Sequence, residues 1–353
     1  MSLRELAVSN LRCIEHAELE ITPGVTLVWG GNGSGKTSLL EAMFLLGRGR
    51  SFRTRNNERL IRRGENHLRV TGHLLGPMGQ DVPVGFEVSR DEAVARIAGR
   101  PAQSLAELAQ AFPVQAIDPG VHRLVEEGGH RRRRWMDWAV FHVEPRFMDE
   151  WLRYSRALRQ RNAALKGDPV QATAWDPELA RVGESIARAR GRFVEQLIPH
   201  WRAIVSALTG LDVELHYLRG WSQEHSLLEA LAASRPRDEA RQLTHAGPHR
   251  ADVSLRLDGR AAREVLSRGQ QKLVAAAMML AQLRLLQDVT QTIPTLLLDD
   301  PAAELDGDHL GRFIEQVRAL RSQLVVTSLH AESRLFGAPD RTFHMGQGRV
   351  QPL

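Results

Sequence analysis

The spacing of hydrophobic positions changes several times along the chain. Ala17, Leu19 and Ile21 alternate with polar residues, and Val82, Val84, Phe86 and Val88 do the same. A period of two marks a strand with one buried face, so these segments predict an antiparallel β-layer, with residues 68–75 as a partner strand. Two other runs are apolar without alternation: VTLVW at residues 25–29 and IPTLLL at 293–298. Continuous runs of this kind predict strands buried on both faces, and residues 323–327 predict another strand. In the middle of the chain Leu179, Val182, Ile186, Ala189, Phe193, Leu197, Trp201, Ile204 and Leu208 recur every three or four residues. That period is helical, and Pro199 is expected to kink or interrupt the helix. Helices are also expected over residues 146–165 and 270–286. The pattern predicts a helical arm at 135–235 inserted between two α/β parts, 1–134 and 236–353. Trp135, Trp138, Trp151 and Trp201 are expected in the core of that arm.

The buried strand at 25–29 runs directly into GGNGSGKT, residues 30–37, and then into the helical pattern SLLEAMFLLG. Strand, glycine-rich turn and helix follow in the order that a phosphate-binding loop requires. Gly30, Gly33 and Gly35 let the backbone curl so that its N–H groups converge on phosphate oxygens. Gly31, Asn32, Ser34 and Ser38 belong to the same cradle, and the helix N-terminus adds positive potential. Lys36 is expected to reach the β- and γ-phosphates, and the Thr37 hydroxyl to ligate Mg²⁺. Only Lys36, Lys166 and Lys272 are lysines; the other basic residues are arginines.

The second apolar run ends in Asp299 and Asp300. With a phosphate loop present, Asp299 is expected to hold the magnesium and Asp300 to polarise the attacking water. LSRGQQKL, residues 266–273, opens the later helix and resembles the ABC signature LSGGQ, with Arg268 in place of a glycine. In that superfamily the signature of one subunit closes on ATP held by the other. The resemblance therefore implies that Ser267, Arg268, Gly269 and Gln270 meet the nucleotide of a second copy. Glu304-Leu305-Asp306 resembles the D-loop at the same interface. His330 stands near the γ-phosphate-sensing histidine of such ATPases, and Arg12 matches a position near the nucleotide in SMC-like heads.

Composition narrows the setting. At 42% hydrophobic and 25% charged residues the chain reads as a globular protein, and no run approaches the roughly 18 apolar residues of a membrane span. Cys13 is the single cysteine, which excludes an internal disulfide and suits a reducing cytoplasm. The N-terminus shows no secretory pattern. A net charge of +5 supports a nucleic-acid partner only weakly, but the basic residues cluster. Arg48, Arg50, Arg53, Arg55, Arg59, Arg62 and Arg63 follow the loop helix, where they could neutralise DNA phosphates. Arg131 to Arg134 could pair with Glu126 and Glu127 or anchor the arm.

The distance between phosphate loop and signature exceeds that of transporter ATPases, and the insert is far shorter than the coiled coil of SMC repair ATPases. The segments VSNLRCIEHAELEITPG, RGRSFRTRNNERLIRRG, HRRRRWMDWAVFHVEPRF, RQRNAAL and HAGPHRADVSL resemble the RecF family in content and order. The resemblance implies an α/β fold: a P-loop ABC/SMC-type ATPase head with an antiparallel β-layer and an inserted helical arm. It further implies ATP and Mg²⁺ as ligands, an ATP-dependent homodimer and slow, DNA-stimulated hydrolysis. Single-stranded, gapped or junction DNA, RecR, RecO and RecA are the implied partners, at the nucleoid in the cytoplasm and away from membranes. A transporter ATPase subunit and a DNA scaffold with vestigial ATPase chemistry are the alternatives.

Overall fold

Strand β1 (Ser2–Leu11) opens an antiparallel layer and buries its apolar side chains Leu3, Leu6, Val8 and Leu11. In this computed structural model every residue is described except Arg55, Pro77, Asp306, Glu332, Ser333 and Leu353, together with the side chain of Glu304. The chain divides into two units, Met1–Val121 with Gln291–Leu353, and His122–Thr290. The second is wider than a 135–235 arm and includes the signature segment.

In the first unit β1 is followed by β2 (Ile14–Glu20), β3 (Val25–Trp29), helix α1 (Lys36–Arg48), β4 (His67–Leu75), β5 (Asp81–Ser89), β6 (Ala93–Ile97), β7 (Arg100–Pro101) and β8 (Val114–Ile117). The antiparallel sheet has the order β2-β1-β4-β5-β6-β7. Leu68 pairs with Val88 and Val70 with Phe86, so the alternation read from the sequence sets the register. Helix α1 packs beneath with Leu39, Leu40, Met43, Leu45 and Leu46 buried.

The second unit contains α2 (Gly129–Val143), α3 (Phe147–Lys166), α4 (Asp176–Thr209), β9 (Glu214–Leu218), α5 (Leu227–Arg241), β10 (Asp252–Leu257), β11 (Arg260–Ala261) and α6 (Arg268–Thr290). Helix α4 carries the three-and-four periodicity, but Pro199 does not interrupt it: the helix is continuous from Asp176 to Thr209. A proline inside a helix costs about 3 kcal/mol. Burial of Leu197, Trp201, Val205 and Leu208 on both sides of Pro199 offsets that cost, at about 1.5–3 kcal/mol per large apolar side chain. Trp135, Trp138 and Trp201 are buried in this unit and Trp151 is half-buried, stacked on Tyr154. Helix α6 is long and apolar enough to cross a membrane by composition, yet most of it is buried inside the protein.

The chain then returns to the first unit through β12 (Thr295–Leu298), α7 (Gly307–Ala319), β13 (Gln323–Ser328), β14 (Arg341–Gly346) and β15 (Arg349–Pro352). These strands join earlier ones in the order β15-β14-β3-β13-β12-β8. β3 lies between β13 and β14 and is parallel to both. With neighbours on both edges and cover on both faces, it can be apolar throughout, which is why its sequence showed no alternation.

Candidate functional site

The glycine-rich loop leaves β3 at Gly30, whose N–H donates to the Ser328 carbonyl at 3.1 Å. Gly33 and Gly35 take φ of 75° and 114°, values that strain any residue with a Cβ. At Gly35 a Cβ would also stand 2.6 Å from Met345 Cε and 3.0 Å from Cys13 Sγ. Gly35 caps α1, and the Gly348 N–H ties the Ser34 carbonyl at 2.8 Å. Lys36 folds back over the loop, its Nζ donating to the carbonyls of Gly30 (2.6 Å) and Gly31 (3.0 Å). Burial lowers the Lys36 pKa, while Asp300 and Asp299 act against that shift.

Asp299 ends β12, 262 residues from Thr37, yet the Thr37 hydroxyl lies 2.8 and 3.1 Å from its two carboxylate oxygens. A side chain that sequence reasoning passed over completes the group. Thr327 Oγ1 lies 3.0 Å from Asp299 Oδ1 and accepts the Asp300 N–H at 2.9 Å. It stands next to last in the strand QLVVTS, where no sequence pattern marks it. Asp300 adopts a left-handed conformation, φ 47°, which turns the chain away from the sheet. Hydroxyl and carboxylate oxygens suit a hard divalent cation such as Mg²⁺, which takes only one or two protein ligands beside phosphates and water. No group of three or more His, Cys, Asp or Glu side chains that could hold a metal occurs among the described residues. The His330 side chain is exposed, and its backbone N–H donates to Ser328 Oγ at 3.1 Å.

Arg12 pairs with a buried carboxylate of α1. Its guanidinium makes two bonds to Glu41 of α1, Nη2 to Oε1 at 3.0 Å and Nε to Oε2. Glu41 is fully buried, also receives the Ser51 hydroxyl, and has Arg53 at 4.0 Å. A charge removed from water in this way is tolerable because every side of it is met by a donor. The basic cluster is accordingly less uniform than its sequence suggests. Arg48 is half-buried, lying over the Phe44 ring at 5.3 Å, and burial lowers its pKa well below the usual value. Arg62 donates to the Cys13 carbonyl at 2.7 Å, Arg50, Arg53, Arg59 and Arg63 are exposed, and Arg55 lies outside the described residues.

The signature segment belongs to the second unit. Ser267, Arg268 and Gly269 are exposed at the start of α6. Ser267 Oγ accepts from the Gln270 N–H at 3.3 Å, and Gln270 Oε1 accepts from the Ser267 N–H at 2.9 Å. This reciprocal cap fixes the first turn and leaves the helix N-terminus open toward an anion. The D-loop carboxylates, Glu304 and Asp306, lie outside what is described.

The remaining motifs knit the second unit together. Arg132 makes a two-pronged pair with Asp252 at 2.8 and 2.9 Å, and Arg131 pairs with Glu127. Buried Arg190 holds Asp137 and the Pro248 carbonyl, and Tyr154 meets His249 at 2.6 Å.

Comparisons with known proteins agree over nearly the whole chain. The family model for the RecF/RecN/SMC N terminal domain matches residues 2–345. The DNA replication and repair protein RecF of Thioalkalivibrio sulfidiphilus is 39% identical over 99% of both chains. That of Azotobacter vinelandii is 40% identical over 99% of this chain and 98% of its own. The solved structure of the recombination mediator protein RecF with ATP, in the RecFOR pathway, superimposes with a TM-score of 0.90 at 26% identity, covering 99% of this chain and 97% of that one. An Smc head bound to the C-winged helix domain of ScpA shares the fold, at a TM-score of 0.60 and 17% identity over 100% and 97% of the two chains. A phosphate loop in the first unit, and likeness to the same repair proteins from end to end, place this chain in the RecF family of DNA replication and repair proteins.

Proposed function

We propose that this chain is an ATP-gated DNA-binding protein of recombinational repair. The observation that carries this reading is the meeting of Thr37 and Asp299 at the mouth of the glycine loop, which supplies oxygen donors beside a phosphate cradle. Lys36 would leave the Gly30 and Gly31 carbonyls for the β- and γ-phosphates of ATP. Thr37 and Asp299 would hold Mg²⁺, whose positive charge neutralises the phosphates. Asp300 would orient water for slow hydrolysis. The exposed cap at Ser267 and Gly269 of a second copy would close on the γ-phosphate, so that ATP joins two chains and hydrolysis parts them.

In this scheme the ATP-bound dimer grips single-stranded, gapped or junction DNA and acts with RecR and RecO to load RecA. Similarity to the RecFOR mediator with ATP supports the ligand and the pathway. The test is DNA affinity and particle mass with ATP, ADP or no nucleotide. Tight binding by a dimer with ATP alone is expected, and equal affinity and mass in all three states would overturn the switch. A Ser267→Arg variant should bind ATP as a monomer.

A further inference from the structure

Helix α3 has two chemically distinct sides. Tyr154, Ala157, Arg161 and Leu165 are buried along one of them. The other carries Arg153, Arg156, Arg159 and Lys166, all exposed. Successive positions three residues apart fall on neighbouring parts of a helical surface, and residues 153 to 166 span about 20 Å at 1.5 Å per residue. None of these four cations has an ion pair or hydrogen bond among the described residues. Arg237 and Arg241 of α5 are exposed and equally unpaired, and they bracket Asp238, which Arg161 binds at 2.8 Å.

The contrast with α4 shows that this is not the general condition of arginines in the unit. Arg181 pairs with Glu178 at 2.9 Å, Arg188 with Glu184 at 3.7 Å and Arg192 with Glu144 at 2.7 Å. Around α3 the acidic side chains are otherwise placed. Asp149 and Glu150 occupy the first turn, where they complement the helix dipole, and Glu150 takes the Ser185 hydroxyl at 2.7 Å. Asp168 caps the next short helix. Asp176 and Asp238 are buried and bound by Arg161, Arg235 and His245. Glu239 is the acidic neighbour left exposed on α5. The helix that carries the cationic face is anchored from its buried side: Arg161, 1% exposed, is fixed by Asp176, Asp238 and Thr244, and Asn162 by Thr244. The exposed arginine side chains themselves still lose rotamer freedom when an anion binds.

We infer that the outer face of α3 is a contact surface for the backbone phosphates of duplex DNA. Guanidinium groups suit phosphate oxygens through their forked donors, and a row of them matches a polyanion better than a single ligand. The surface has no exposed aromatic ring on which an unpaired base could stack, since Tyr154 is buried and Trp151 half-buried. Recognition is thus of the backbone, independent of sequence. Apart from Leu152, 57% exposed, the face also lacks the apolar anchors of a protein interface. This assignment rests on the reading that the protein binds DNA.

The experiment uses the full chain carrying R153E/R156E/R159E, a matched R181E/R188E/R192E set on α4, and a charge-keeping R153K/R156K/R159K set. Binding to a fluorescent 30-bp duplex (roughly three helical turns) is measured from 50 to 200 mM KCl with ATP. Each lost phosphate contact lowers the slope of log K against log salt by about 0.9, so the α3 reversal should remove up to about 2.7 and weaken binding by at least about tenfold. The lysine set should keep the slope, and the α4 set should shift affinity by less than about threefold. All variants alter exposed residues, and equal melting temperature and equal binding of a fluorescent ATP analogue verify that they remain folded. An unchanged slope in the α3 reversal, or equal losses in the α3 and α4 sets, overturns the surface. So does normal duplex binding coupled with loss of a protein partner, which would make the face an acidic-protein site. Failure of the unaltered protein to bind duplex DNA overturns the surface, and failure to bind duplex, gapped and single-stranded DNA alike under any nucleotide overturns the DNA-binding reading itself.

Discussion

The pair formed by Arg12 and Glu41 invites a test in which two partners of one salt bridge behave unequally. Glu41 is fully buried, whereas the Arg12 side chain is 26% exposed. Replacing Arg12 with methionine strands a carboxylate in the core, with only the Ser51 hydroxyl and Arg53 at 4.0 Å remaining. Breaking a buried pair from that side costs about 3–5 kcal/mol. Replacing Glu41 with glutamine is milder, because the amide keeps the volume and the freed guanidinium can reach water. The loss is then about that of a charged hydrogen bond, 1.5–3 kcal/mol. In the double variant the stranded charge is gone, so it should be more stable than Arg12→Met alone. Urea unfolding followed by far-ultraviolet circular dichroism measures all three. A milder effect for Arg12→Met than for Glu41→Gln would refute the argument from burial, as would simple additivity in the double variant.

Two further outcomes follow from the site and its support. Gly35→Ala forces a Cβ onto a residue at φ 114° and against Met345 and Cys13. Strain of about 1–3 kcal/mol should lower the melting temperature of the first unit by several degrees and weaken ATP-analogue binding; unchanged melting would sink this reading. His249 lies between Tyr154 and the Thr244 carbonyl, and burial pushes its pKa down to about 4. The folded state thus favours the neutral ring, and the unfolded chain takes up a proton first. Stability from this source is complete above the ordinary histidine pKa of about 6.5 and is lost as the pH falls toward 4, by up to about 1.4 kcal/mol per pH unit. His249→Asn should flatten the fall in melting temperature between pH 7 and 5, and parallel curves for the two proteins would count against it.

The glycine loop, the buried strands and the alternating layer were legible because each follows from a local rule. Glycines permit the loop, apolar runs give two-sided burial, and period two gives one-sided burial. Family likeness likewise set aside the transporter alternative. What escaped was decided by partners distant in sequence. Glu41 looks like an ordinary helix-surface glutamate until Arg12 and Ser51 are brought to it. The position of Arg48 over the Phe44 ring was likewise not legible in its sequence. Thr327 carries no pattern at all, since its role depends on Asp299 in the neighbouring strand. Pro199 misleads in the opposite direction, because a local breaking rule is overridden by the apolar packing on both sides.

The strand order of the first unit has a consequence for how the protein is made. Both neighbours of β3, which carries the glycine loop, come from the distal stretch of the chain. While the ribosome completes residues 122–290, β3 and its loop stand with two unpaired edges, and only the second unit has all of its sequence available. The phosphate cradle therefore forms late, when β13 and β14 arrive on either side. Such distant pairing slows folding and leaves sticky edges in the meantime. A newborn chain would lack the assembled cradle until synthesis had passed β14.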